Sequence, residues 1–396
     1  MASEALSNSA AAKADQLNPC LTVTADHRIK MEEAPILEPG VGEVLLHVRA
    51  TGICGSDLHF WKHGAIGSLT VDGDCILGHE AAGVVLARGP GVDNLEIGDR
   101  VAIEPGVPCG QCFLCSGGRP NLCEDVHFSG VYPHNGTIQR YKVHQAKFTH
   151  KLPDSLSFAS AALLEPFSVA LHALRTTPVN VGSPVAVFGA GPIGLLTMAA
   201  ARASGAHPIV ITDIDEGRLS FAKIFEPNCL TYRVDPTATP ELSANRIRDL
   251  FEHEGGKVGS PRTEYDMPQL VLECTGFESS IATASYTVRR GGCINVVGVS
   301  SKPLANNIPF MHLSLAEIQL RFINRYHDTW PAAIRAMQGS LVDRAKMESL
   351  VTDEFSLENA AQALEFAANS HRRKDGRITV KIQIVDPPLK ELPRHS

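Results

Sequence analysis

The stretch from Pro184 to Asp213 constrains this chain more than any other. Pro184-Val185-Ala186-Val187-Phe188 is a short apolar run, followed without a spacer by Gly189-Ala190-Gly191-Pro192-Ile193-Gly194 and the helical run Leu195 to Ala203. A second apolar run, Pro208-Ile209-Val210-Ile211-Thr212, ends in Asp213, 19 residues past Gly194. Strand, G-x-G-x-x-G, helix, strand and acid in this order is the context of a dinucleotide-binding βαβ unit. The glycines allow a pyrophosphate close to the backbone, and the helix N-terminus favours its charge. Asp213 would accept hydrogen bonds from ribose hydroxyls and repel a 2′-phosphate, so the pattern predicts NAD rather than NADP. Arg218 reads equally as a cofactor contact or as a solvated helix-face charge.

More βα units follow. Gln269–Cys274 leads into Thr275-Gly276, and Cys293–Val297 into Gly298-Val299, which predicts a doubly wound parallel sheet. Part of the polar segment Asp235 to Met267 reads as a surface insertion, and after Leu313 the chain is expected to leave the sheet. The first third has a different texture. Leu21–Thr24, Glu43–Arg49, Ala82–Ala87 and Asp99–Ile103 are short strand-like runs separated by Gly turns, predicting a β-rich, barrel-like domain. A helix beginning near Leu163 connects the two, and Arg377 to Val385 reads as a closing strand returning to the first domain. At 396 residues, two domains are the prior. The expected division is a lead-in over 1–20, a catalytic domain over 21–167, a nucleotide domain over 168–314 and a C-terminal return over 315–396, with a tail from Pro387.

Two groups of metal-ligand residue types lie in the β-rich part. Cys109, Cys112 and Cys115 are spaced C-x-x-C-x-x-C, and Cys123 follows after seven residues. Four thiolates form a closed tetrahedral zinc cage with no open position, hence a structural site. An iron–sulfur cluster is the competing reading, but the spacing differs from ferredoxin runs. The second group is Cys54, with His79 and Glu80 downstream: thiolate, imidazole and carboxylate, each near a glycine. Ser56 and His59 follow Cys54 closely enough to pass on a proton. Glu165 stands among apolar residues, where a carboxylate needs a cation or a proton, although a helix N-terminus would also favour it.

Composition removes other classes. The formal net charge is −7 without any basic stretch, which argues against a nucleic-acid partner. No apolar run approaches the roughly 20 residues of a membrane helix. Residues 1–18 have neither the apolar core of a secretory signal nor the arginines of a transit peptide, so a cytoplasmic location is the default. Ten cysteines in such a chain suggest metal or free thiols rather than disulfides.

Taken together, Gly78-His79-Glu80, the Cys54/Ser56/His59 cluster, the four-cysteine loop and Gly189–Gly194 resemble the zinc-dependent medium-chain dehydrogenases, from about Leu21 to Val385. Cys54–Trp61, Leu164-Glu165-Pro166 and Arg325-Tyr326 resemble the polyol (sorbitol/xylitol) branch. His59–Gly64, Ile211–Leu219 and Glu273–Gly276 are similar to the fungal L-arabinitol 4-dehydrogenase group. The resemblance implies a GroES-like catalytic domain with an inserted Rossmann domain and an active site in the cleft between them. It further implies two zinc ions, one catalytic on Cys54, His79 and Glu80 or Glu165, one structural on Cys109, Cys112, Cys115 and Cys123. Ser56, His59 and Glu165 take catalytic roles, and Phe60, Arg325 and Tyr326 shape the polyol end. Gly189, Gly191, Pro192, Ile193, Gly194, Asp213, Arg218, Val297, Asn324 and Arg325 face NAD. The implied activity is oxidation of a secondary hydroxyl of a sugar alcohol, L-arabinitol to L-xylulose first, by a homotetramer. Xylitol, sorbitol or galactitol as substrate, or a non-catalytic NAD-binding role, are the alternatives.

Overall fold

Apolar residues at nearly every position of Val44-Leu45-Leu46 and Val48 predict a strand covered on both faces, and Glu43–Gly52 is one, buried along most of its ten residues. It lies at the centre of the catalytic lobe. In the computed structural model, which describes residues 17–254, 264–300, 305–369 and 377–387, this strand pairs antiparallel with Glu80–Arg88, Tyr141–Gln145 and Lys381–Val385. The seven-stranded sheet continues through Arg100–Ile103 to Thr149–Lys151 on one side. On the other, Lys381–Val385 is held between Glu43–Gly52 and Val351–Ser356. The closing strand thus occupies an interior position.

The buried helix Leu164–Thr176 leads out of this lobe. Beyond it lies a six-stranded parallel sheet that runs Leu230–Arg233, Ile209–Asp213, Val185–Phe188, Leu270–Glu273, Cys293–Val296, Gln319–Phe322. This is the doubly wound order 3-2-1-4-5-6, whose reversal point lies between the first and fourth strands in chain order. The crevice there is where a dinucleotide binds in such sheets. The expected α/β architecture, a β-rich lobe with an inserted Rossmann unit, is the one observed.

Two boundaries need correction, and one segment gains a helix. The chain does not leave the nucleotide sheet after Leu313 or at 314. Gln319–Phe322 is its sixth strand, missed because as an edge strand it is largely exposed and lacks a continuous apolar run. Within Asp235–Met267, residues 240–254 form a fifteen-residue helix. Ala244, Ile247 and Phe251 are buried at helical spacing, so this part is a packed crossover; residues 255–263 of the expected insertion lie outside the described residues. The lead-in ends before residue 20: Asn18 is buried, its side chain exchanging hydrogen bonds with the backbone of Tyr141, and Pro19–Val23 is a strand. Residues 1–16 and the tail from Pro388 lie outside the described residues.

Candidate active site

Cys54 is the N-cap of the helix Gly55–His63. The Asp57 carboxylate reaches back to accept the Cys54 N–H at 2.9 Å, and its other oxygen accepts the Gly78 N–H at 3.1 Å. One buried side chain therefore ties together the two segments that present Cys54 and His79. The same carboxylate lies 3.6 Å from His79 Nδ1, which leaves Nε2 for a metal. Burial alone would lower the His79 pKa, but the neighbouring charges of Asp57 and Cys54 outweigh it and lift it to about 10. The imidazole sits where a cation is wanted. Asp57 was missed in the sequence, although the spacing from the cap to an acid three residues on is a helix-start signal.

Glu80, next in chain, is almost fully buried at 1% exposure. Lys381 from the closing strand donates to both its oxygens, at 2.8 and 2.7 Å. Burial opposes the Lys381 charge, yet the Glu80 carboxylate raises its pKa overall. Donor atoms of Cys54, His79 and Glu80 all lie within 4.8 Å of one another, a soft–borderline–hard set that suits zinc. Glu165 stands apart from that trio, in the first turn of Leu164–Thr176. Burial pushes its pKa up to about 7; His79 pulls the other way, and Glu80 adds to the rise. Tyr326 is the buried residue beside it, with a hydroxyl that finds no hydrogen-bond partner of ordinary geometry.

Ser56 Oγ lies 3.4 Å from His79 Nε2. His59, one turn further along the helix, has its pKa lowered by burial and by His63, whose ring lies 5.5 Å away. A neutral imidazole there can accept a proton. Phe60 differs from expectation. It is 2% exposed and belongs to the core with Leu21, Val71 and Leu77, so we assign it to packing. Arg325 lies with its guanidinium 3.7 Å from the centroid of Phe128, and Phe128 in turn packs on His79 at 5.6 Å. A site role for Phe128 is not legible in the sequence, where it stands out only as the start of Phe128–Pro133, a stretch that departs from the arabinitol pattern.

A cavity of about 670 Å³ joins this cluster to the nucleotide crevice. Cys54, Glu80 and Lys381 line one end, and Gly189, Gly191, Pro192, Ile193, Gly194, Asp213 and Arg218 line the rest. Val297, Asn324 and Arg325 lie outside that lining. Gly189 has φ +98°, and a Cβ on Gly194 would overlap the Gly189 carbonyl, so both positions demand glycine. Asp213 is set at the strand end by accepting the N–H groups of Ala190 and Asp215, at 2.8 and 2.9 Å. Arg218 stands 3.8 Å from it.

The four remaining metal-type residues cluster in their own loop. Cys112 and Cys123 Sγ are 3.9 Å apart, close to the roughly 3.8 Å edge of a tetrahedron with zinc–sulfur bonds near 2.3 Å. Cys109, Cys112 and Cys115 each turn a backbone N–H toward another cysteine's sulfur, at 3.3, 3.4 and 3.5 Å. Such bonds lower the Cys109 pKa to about 7, whereas burial and the neighbouring thiols lift that of Cys115 to about 12. Four thiolates so close require a cation. All ten cysteines are free of disulfides.

A cleft between a β-rich lobe and a doubly wound sheet, with a Cys/His/Glu cluster at one end and a dinucleotide turn along it, defines a zinc-binding dehydrogenase. Comparison agrees. Residues 40–154 match the alcohol dehydrogenase GroES-like domain, and residues 192–339 match the zinc-binding dehydrogenase family. The chain is 48% identical to an L-arabinitol 4-dehydrogenase of Aureobasidium melanogenum over 86% of this chain and 87% of that one. It is 39% identical to the sorbitol dehydrogenase of Bos taurus, over 90% and 94%. Among solved structures, an Escherichia coli oxidoreductase/dehydrogenase of unknown specificity superposes with a TM-score of 0.79 at 31% identity, covering 93% of this chain and 99% of that one. The chain belongs to the polyol branch of the zinc-dependent medium-chain dehydrogenases.

Proposed function

We propose that this enzyme oxidises a secondary hydroxyl of a sugar alcohol, L-arabinitol to L-xylulose first, with hydride transfer to NAD. One observation carries the reading: a single cavity connects Cys54 and Glu80 with the Gly189–Gly194 turn and Asp213. The relatives that share most of the chain supply the polyol.

Cys54 and His79 would hold the catalytic zinc, with Glu80 and Glu165 supplying the carboxylate role, and Cys109, Cys112, Cys115 and Cys123 the structural one. The donor sets fit. Zinc at the first site supplies Lewis acidity that lowers the pKa of a substrate hydroxyl. The chain's own residues do the rest. Ser56 Oγ accepts the hydroxyl proton, and His59, held neutral, takes it on toward solvent. Arg325 offers several N–H donors to the polyol hydroxyls, and Tyr326 shapes the pocket floor beside Glu165. The Gly189–Gly194 turn and the helix behind it receive the pyrophosphate, and Asp213 the adenosine ribose. Asp213 is the basis for assigning NAD over NADP. We further propose a cytoplasmic homotetramer; no described helix is long and apolar enough to cross a membrane.

Initial rates of NAD and NADP reduction with L-arabinitol, xylitol, sorbitol, galactitol and ethanol test this. Highest kcat/KM with L-arabinitol and NAD is expected. Preference for another polyol moves the enzyme to a sister activity, and no rate on any polyol with zinc bound would overturn the reading.

A further inference from the structure

We infer that Asn121 is a positioning residue for the polyol end of the site, acting on Arg325 across the two lobes through one backbone carbonyl; this rests on the reading of Arg325 as substrate-facing. Asn121 lies in the short turn Pro120–Leu122, inside the loop that carries the four cysteines. Its Nδ2 donates at 2.9 Å to the carbonyl oxygen of Asn324, 203 residues away, just past the sixth strand of the nucleotide sheet. That carbonyl belongs to the peptide unit joining Asn324 to Arg325. Arg325 has φ +54°, the left-handed region that a side chain with a Cβ enters only at a cost. Such a conformation persists when its flanking peptide groups are held from outside. The Asn121 amide is that hold.

The geometry downstream depends on this turn. The guanidinium of Arg325 is stacked on Phe128, and Phe128 packs against His79. The next residue, Tyr326, is buried beside Glu165. A change of a few tens of degrees at Arg325 would move both side chains relative to the cleft. The amide works in only one orientation, since a flipped Asn121 would set an oxygen against the Asn324 carbonyl. Its own Oδ1 is buried without a partner. The side chain thus leaves one polar atom unsatisfied while making this interlobe bond, a departure that polar side chains in folded proteins seldom show.

The test compares Asn121→Asp, which keeps shape and loses the donor, and Asn121→Ala with the wild-type holoenzyme. Readouts are KM and kcat for L-arabinitol, KM for NAD, zinc per subunit, and amide hydrogen exchange over residues 324–327. With the loss of one hydrogen bond, KM for L-arabinitol should rise about five- to tenfold. KM for NAD and zinc content should match wild type, while exchange over 324–327 should quicken. In an Arg325→Ala background the Asn121→Asp change should have almost no further effect on KM, because the two act in series. Unaltered exchange, equal rises in both KM values, loss of zinc in both Asn121 variants, or full additivity with Arg325→Ala would each overturn the proposal. Wild-type inactivity on every polyol would instead overturn the proposed function, and the exchange result would still decide whether Asn121 holds the turn.

Discussion

The two donor clusters differ in how much of the chain each needs. Cys109, Cys112, Cys115 and Cys123 come from one loop and are oriented by that loop's own N–H groups. Cys54, His79 and Glu80 also lie within a short span, but they are held by Asp57 from within that span and by Lys381 from far along the chain. Asp57 binds the Cys54 and Gly78 segments together, and Lys381, 301 residues from Glu80, neutralises a carboxylate that could not otherwise be buried. The first cluster needs a metal to be stable. The second needs the rest of the fold, and in exchange keeps its donors in a cavity open to the nucleotide crevice. On the proposed assignment, the structural site is local and the catalytic one is supported from several directions.

This contrast can be broken or sharpened by experiment. The largest effect is expected at the centre of the distributed cluster: Cys54→Ala should cost at least about a thousandfold in turnover and remove the catalytic zinc while the other remains. Retention of both zinc and full turnover would end the assignment. Next, Lys381→Met should leave the Glu80 charge buried and unpaired and destabilise the fold by about 3–5 kcal/mol; denaturant melts of the zinc-loaded protein measure it, and wild-type stability would show the pair to be dispensable. Cys112→Ser should release the structural zinc and lower stability by about 1–3 kcal/mol, with turnover less affected than in Cys54→Ala, as metal analysis and kinetics on one sample will reveal. Asp57→Asn should weaken zinc binding about 10- to 100-fold, read by competition with a chelator.

The smallest effect concerns acid stability away from both clusters. Asp386 is paired with His47 at 2.9 Å and Arg140 at 2.7 Å. Burial opposes the Asp386 charge, but these partners hold its carboxyl below the usual range. Its contribution is therefore present above the unfolded value of about 3.9 and is lost as pH falls through the folded one. His144, buried and donating from Nε2 to the Glu104 carbonyl, has its pKa pushed down to about 3, chiefly by burial and secondly by Lys142. Its share is present above about 6.5 and declines as pH falls from there toward about 3. Stability measured against pH should thus decline in two stages. Asp386→Asn should narrow the gap to wild type only in the second, more acidic one.

Sequence reasoning reached as far as local pattern reaches. The glycine turn, the four-cysteine spacing and the Cys54–His79–Glu80 residues are short-range features whose chemistry is written in adjacent letters. Lys381 was invisible because Lys381-Ile382-Gln383-Ile384-Val385 reads as an ordinary strand, and nothing in it announces a partner in Glu80. Gln319–Phe322 was hidden by exposure at a sheet edge, and residues 240–254 by a polar face that masks the buried stripe of Ala244, Ile247 and Phe251. Phe60 is the reverse case: the resemblance implies a place at the polyol end, whereas its side chain is buried in the core with Leu21, Val71 and Leu77. Asn121 carried no signal, since its significance lies wholly in which carbonyl the fold brings to it.

The interior position of Lys381–Val385 has a consequence for the order of events in the cell. Nearly the whole catalytic lobe is synthesised before the nucleotide lobe, yet its seven-stranded sheet stays two strands short, lacking Val351–Ser356 and Lys381–Val385, and Glu80 stays without its cation, until the nucleotide lobe and these strands have left the ribosome. The lobe made first is therefore completed last. A ribosome that stops between Phe322 and Lys381 yields a chain whose nucleotide sheet is already translated but whose reaction centre has never been closed, so such truncated products are silent rather than partly active.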